Sequence, residues 1–122
     1  MIKKLESKNA PAPVGPYSQG IVAGDLVFIS GQLPILKSGE IVLNDIEKAT
    51  EVVLENIESI LKEENLSLQD VIKSEVYLKN LDNFDKFNKT YARFFSCEIK
   101  PSRVTVEVSK LPKNSDIEIS CV

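Results

Sequence analysis

The chain has 122 residues, 43% of them hydrophobic, with a net charge of −3 and a pI near 5.0; that is one domain, residues 1–122, able to build a core without metal or disulfide staples. It contains no histidine, which removes imidazole acid–base chemistry, His-based triads and His-containing zinc sites. An acidic balance with scattered lysines also argues against a phosphate-tracking nucleic-acid protein and against a polybasic membrane patch.

The first residues, MIKKLESKNAPAP, are positively charged but lack the apolar stretch of a signal peptide. Cys97 and Cys121 form no CxxC. The chain therefore reads as cytoplasmic, with two free, inert thiols and no membrane span. Residues 10–17, APAPVGPY, carry three prolines and Gly15, which resist helix and ladder pairing and predict a fixed extended loop. Two short strands follow, near 18–22 and 26–31, joined at Ala23-Gly24-Asp25. A further short strand pair is expected around Lys37-Ser38-Gly39.

Asn44 or Asp45 can cap a helix running to about Glu64, with Asn65 as its stop. Ile46, Ala49, Val53, Ile57 and Ile60 give that helix one apolar stripe. A strand is expected over 71–79. A second helix, capped by Asp82 or Asn83, is lined by Phe84, Phe87, Tyr91, Phe94 and Phe95, a stripe most simply read as core. Strands over 102–108 and 116–122 complete the chain. This order predicts an α+β fold, one β-sheet with two helices, and two helices cover only one face. Leu26, Phe28, Ser30, Arg103, Thr105, Glu107, Glu118 and Ser120 are assigned to the uncovered face. Large apolar residues there would be exposed in a monomer, so the face is expected to pack against other subunits.

Arg103 stands out in KPSRVTVEV (100–108), one of only two arginines in the chain. A guanidinium is always charged and offers a planar fork that suits a carboxylate. Burying it unpaired is costly, so an anion must meet it. Glu107 is four residues along the strand, roughly 13 Å away at ~3.3 Å per residue, which is far for a direct pair. An ion pair with Glu118 and a ligand carboxylate both remain open. Tyr17 offers a hydroxyl on a stiff loop, although loop packing would explain it. Ser30-Gly31 ends a strand, where Gly31 leaves its backbone N–H approachable, although a turn would explain it equally. Asn88 lies beside Phe87 and Tyr91 and can equally bond locally.

Four segments, GPYSQG (15–20), FISGQLP (28–34), FNKTYARFF (87–95) and PSRVTVEVSKLPKNSDIEI (101–119), together resemble the RidA (YjgF/YER057c/UK114) family over nearly the whole chain. The resemblance implies a chorismate-mutase-like α+β domain, one mixed sheet with two helices on one face, assembled as a homotrimer with sites between subunits. It implies hydrolysis of the reactive enamines and imines 2-aminoacrylate and 2-aminocrotonate, products of pyridoxal-phosphate-dependent dehydratases, to 2-oxo acids and ammonia, without cofactor or metal. It places the carboxylate-binding arginine on Arg103, the loop tyrosine on Tyr17, the strand-end serine and glycine on Ser30 and Gly31, and the helix asparagine on Asn88. Two positions depart from the family pattern. Thr105 stands where a cysteine is common, and Ser120 stands where the resemblance puts a water-activating glutamate.

The expectation is an enamine/imine deaminase in which Arg103, Tyr17 and Ser120 are catalytic. Arg103, Ser30, Gly31, Asn88, Thr105 and Tyr17 hold a small 2-imino or 2-oxo acid. Ser120 or Thr105 would hold water by hydrogen bonding. The alternative is a non-catalytic carboxylate-binding regulator of the same fold. An RNA-directed nuclease is disfavoured by the acidic pI and the missing histidine.

Overall fold

A computed structural model describes all 122 residues. Helix α1 (Ile46–Lys62) starts at Asp45, whose carboxylate accepts the Lys48 N–H at 3.1 Å. Beyond its end, Asn65 takes a left-handed backbone (φ 57°), a conformation Asn tolerates and most residues resist. The stripe Ile46, Ala49, Val53, Ile57 and Ile60 is buried along its length. Helix α2 (Phe84–Phe94) buries Phe87, Thr90 and Tyr91. Neither helix is long and apolar enough to cross a membrane.

Six strands form one mixed sheet: β1 (Ile2–Leu5), β2 (Gly20–Ala23), β3 (Leu26–Gln32), β4 (Lys73–Leu78), β5 (Ser102–Glu107) and β6 (Ile117–Cys121). Their order is β1-β2-β3-β6-β4-β5. Only β4 and β5 run parallel, because α2 lies between them in sequence and carries the chain back across the sheet. Strand β1 was not anticipated. Its four residues include two lysines, a pattern that suits a short, charged edge strand and carries little periodic signal. The strand pair expected around Lys37-Ser38-Gly39 is reduced to one bridge, Ile35 to Ile41.

Both helices pack on one face. Val53, Leu54, Ile57 and Ile60 of α1 and Phe87 of α2 meet Ile29, Val76, Leu78, Ile117 and Ile119 of the sheet, all in one buried cluster. Each such side chain contributes about 1.5–3 kcal/mol on burial. The opposite face carries no helix, and there Leu26 and Phe28 are 45% and 43% exposed.

One face assignment from the sequence is corrected. Arg103, Thr105 and Glu107 do not lie on the uncovered face. They pair in register with Ser74, Val76 and Leu78 of β4, which are wholly buried toward the helices. Neighbours across a ladder share a face, so Arg103 faces α2. Val104 and Val106 take the helix-free side, 47% and 39% exposed. Valine alternation shows which residues share a face but not which face the helices cover. Here the edge position of β5 under the aromatic end of α2 decides it.

Candidate functional site

The Arg103 guanidinium sits over the rings of three residues of α2. Its central carbon is 4.8 Å from the Tyr91 centroid, 5.2 Å from Phe87 and 5.7 Å from Phe84. The ion pairs of the chain are Lys3–Glu64, Lys4–Glu6, Lys48–Glu51, Lys73–Glu75 and Arg93–Glu51; Arg103 is in none of them. Both protein partners considered for it are accounted for elsewhere. Glu107 accepts the Leu81 N–H at 2.8 Å. Glu118 projects from the other face of the sheet, with β4 between its strand and β5. Arg103 is therefore a half-buried cation held by aromatic faces, with no protein carboxylate on it.

The free edge of β5 adds donors beside it. Ser102 N–H donates to Ile72 O at 3.0 Å and Val108 N–H to Leu78 O at 2.9 Å. By the alternation of a parallel ladder, the N–H groups of Arg103, Thr105 and Glu107 then point away from β4, off the open edge. The Thr105 hydroxyl is the one buried side-chain polar atom without a hydrogen-bond partner. Asn88 falls four residues after Phe84 and three before Tyr91, so helix geometry puts it on the same α2 face as the rings around Arg103. Thr105 thus shares a face of β5 with Arg103, and Asn88 lies on the side of α2 whose rings seat that arginine.

Tyr17, Ser30 and Gly31 form a second group on the helix-free side. With Val14, Leu33, Pro112 and Glu118 they line a cleft of about 290 Å³. Tyr17 Oη accepts the Val14 N–H at 3.1 Å, which leaves its proton free to donate. Ser30 Oγ donates to Ser18 O at 2.6 Å, so this hydroxyl braces the loop. Strand β3 bulges here: Ile29 pairs with Cys121 and Gln32 with Ile119, so Ser30 and Gly31 together oppose Ser120. A bulge re-aims the side chains around it. Gly31 leaves room for the Glu118 carboxyl, since a methyl group at its Cα would overlap Glu118 Oε2 and force that side chain to move.

Glu118 was not singled out as a site residue from the sequence. Burial raises its carboxyl above the usual 4.5, and none of the chain's ion pairs includes it. The signal was an acid between Ile117 and Ile119, both fully buried, on a strand whose other side faces no helix. Ser120 lies across the bulge, while Glu118 is the carboxyl that reaches the cleft. Cys121, on the core face of the same strand, has its thiol pushed up to about 12 by burial, which makes it inert at neutral pH. No three Cys, Asp or Glu side chains converge as metal ligands.

The two groups cannot touch one small ligand within a single chain. They lie on opposite faces, and β3 and β5 are separated by β6 and β4, about 14 Å at ~4.8 Å per strand.

Residues 7–122 match the family described as Endoribonuclease L-PSP. A RutC family protein of Pyrococcus horikoshii is 55% identical over 123 residues, covering 100% of this chain and 97% of that protein. The 2-iminobutanoate/2-iminopropanoate deaminase of Salmonella typhimurium is 37% identical over 124 residues, covering 100% of this chain and 97% of that protein. Among solved structures, Escherichia coli TdcF with bound serine superposes with a TM-score of 0.92 at 37% identity, covering 98% of this chain and 95% of that one.

Proposed function

The chain belongs to the Endoribonuclease L-PSP family, whose members include Rid and YjgF proteins, and from that membership and the state of Arg103 we propose that it is a cofactor-independent enamine/imine deaminase. Its substrates are 2-aminoacrylate and 2-aminocrotonate with their imine forms, and its products are the 2-oxo acids and ammonia. The observation that carries this reading is the half-buried guanidinium resting on three rings without an anionic partner. The name of the Salmonella relative supplies the reaction class, and a bound amino acid in TdcF supplies the ligand class.

The active assembly is a homotrimer. The Tyr17, Ser30, Gly31 and Glu118 group of one copy faces the Arg103, Asn88 and Thr105 group of the next. This brings together two half-sites that one chain keeps apart, and it covers Leu26, Phe28, Val104 and Val106. Arg103 takes both carboxylate oxygens, helped by the Thr105 N–H at the β5 edge and by Asn88. The Gly31 backbone contacts the substrate from the other side.

The chemistry then needs one proton donor and one acceptor. Protonated Glu118 delivers a proton to the enamine carbon, giving the iminium and leaving a carboxylate. Water, held by Tyr17 and Ser120, attacks the iminium carbon and passes a proton to that carboxylate. Glu118 passes that proton on to the carbinolamine nitrogen, the C–N bond breaks to release ammonia, and the hydroxyl proton returns to Glu118 as the carbonyl of the 2-oxo acid forms. Burial raises the Glu118 carboxyl above its ordinary value, which favours the acid form it starts from. Imines hydrolyse unaided in water, so orientation by Arg103 and one positioned acid–base group supply the acceleration required.

The test is the loss of 2-aminoacrylate, generated in situ by a serine dehydratase, with purified protein. The expected result is faster conversion to pyruvate and ammonia, abolished in Arg103→Ala. Carboxylate binding without turnover would instead assign the chain to the regulator reading, and RNA cleavage that survives Arg103→Ala would restore the nuclease reading.

A further inference from the structure

We infer that Tyr91, latched by Ser74, is a positioning residue that seats the Arg103 guanidinium over its ring and so leaves its N–H groups open to a carboxylate. This deepens the proposed function and rests on Arg103 being the carboxylate anchor.

Among the rings around Arg103, Tyr91 is the nearest. Its hydroxyl is 2.7 Å from Ser74 Oγ, and both groups are buried. Ser74 is also the residue that pairs with Arg103 across the β4–β5 ladder. The hydrogen bond therefore ties the Tyr91 ring to the strand position beside the arginine it supports. Phe87 and Phe95 pack on either side of Tyr91, with centroids 5.3 and 4.5 Å away, so the ring is walled in as well as tethered. A phenylalanine would fill the core equally well. Buried Tyr and Ser hydroxyls each need a partner, and here each is the other's.

A salt bridge would occupy the donor edge of the guanidinium. An aromatic seat removes water from its faces and lowers its freedom while keeping every N–H available. Binding then requires less ordering of the side chain, which is the origin of affinity from preorganisation. Lysine, with a compact ammonium and no planar fork, cannot use such a seat in the same way.

The experiment measures 2-oxobutyrate binding to the full-length protein by calorimetry and follows the Arg Nε–H resonances by NMR. Only Arg93 and Arg103 contribute to that region. Tyr91→Leu should weaken binding about 10-fold and shift the Arg103 Nε–H downfield as the ring current is lost. Tyr91→Phe and Ser74→Ala keep the ring but lose the latch, and should weaken binding about 3-fold. In turnover, KM should rise by the same factors while kcat stays within about twofold, the signature of lost ground-state binding. Phe84→Leu, at the half-buried ring, should act in the same direction and stands in if Tyr91→Leu does not fold. Wild-type affinity and an unmoved Arg103 resonance in Tyr91→Leu, with binding still lost in Arg103→Ala, would overturn the inference and leave the carboxylate anchor intact. Undiminished binding in Arg103→Ala would overturn the anchor, and the inference with it.

Discussion

Removing the Arg103 guanidinium should separate ligand binding from folding. A buried ion pair broken on one side costs about 3–5 kcal/mol, whereas an aromatic seat loses about 0.5–2 kcal/mol. Arg103→Ala is therefore expected to melt within a few degrees of the parent while losing at least about 10- to 100-fold in carboxylate affinity, the worth of charged hydrogen bonds. A large fall in melting temperature with retained binding would mark the residue as structural. Glu118 gives the opposite pairing of effects. Burial holds its folded-state carboxyl above 4.5. Between 4.5 and that raised value the folded chain keeps a proton the unfolded chain has released, so stability falls as pH rises through this window. Glu118→Gln should therefore melt higher than the parent at pH 7, with the gap closing below pH 4.5, while turnover drops about 100- to 10,000-fold. A thermal scan across pH and a rate assay check both halves. The sequence marks Arg103 as a charge in an apolar strand with Glu107 out of reach, but the α2 rings that seat it show only in the fold. Glu118 was equally visible as an acid between two isoleucines, but only the bulge of β3 shows that its carboxyl lies against Gly31.

At the scale of elements, the helices were the most legible. Asp45, Asn65 and the isoleucine stripe of α1 act locally and do so in the structure. The face of β5 was not legible, since Val104 and Val106 are apolar yet turn away from the helices. Both are exposed in the single chain, so alternation alone does not report which face the helices cover. The β3 bulge was invisible for a related reason: it exists only in the pairing of Ser30 and Gly31 against Ser120. Its role is open to a direct test with Gly31→Ala. The new methyl group meets the far end of the flexible Glu118 side chain, so the fold can yield at little cost. The carboxyl is displaced by doing so, and a shift of about 1 Å in a catalytic group can cost about 100-fold in rate. The expectation is a small change in melting temperature with a large loss of kcat; equal activity would show that Glu118 does not need its present place.

For the whole molecule, the sheet face without helices carries Leu26, Phe28, Val104 and Val106 in the open, an apolar surface of the kind subunits bury. The expected mass in solution is three times 13.6 kDa, and Val106→Asp should return the protein to monomers by native mass spectrometry. Sites shared between copies make a stronger prediction. Arg103→Ala and Glu118→Gln proteins, each inactive alone, should recover about a quarter of parental activity when unfolded together and reassembled at equal amounts, because about a quarter of the clefts in a closed ring then hold both intact residues. No recovery from correctly assembled mixtures would place Arg103 and Glu118 in separate sites. The most direct measurement is a crystal structure of the protein soaked with 2-oxobutyrate. The account predicts both carboxylate oxygens on the Arg103 guanidinium edge above Tyr91, with the keto carbon turned toward Glu118 of the neighbouring copy. A carboxylate bound elsewhere, or an Arg103 already paired with an acid of the neighbouring copy, would contradict it.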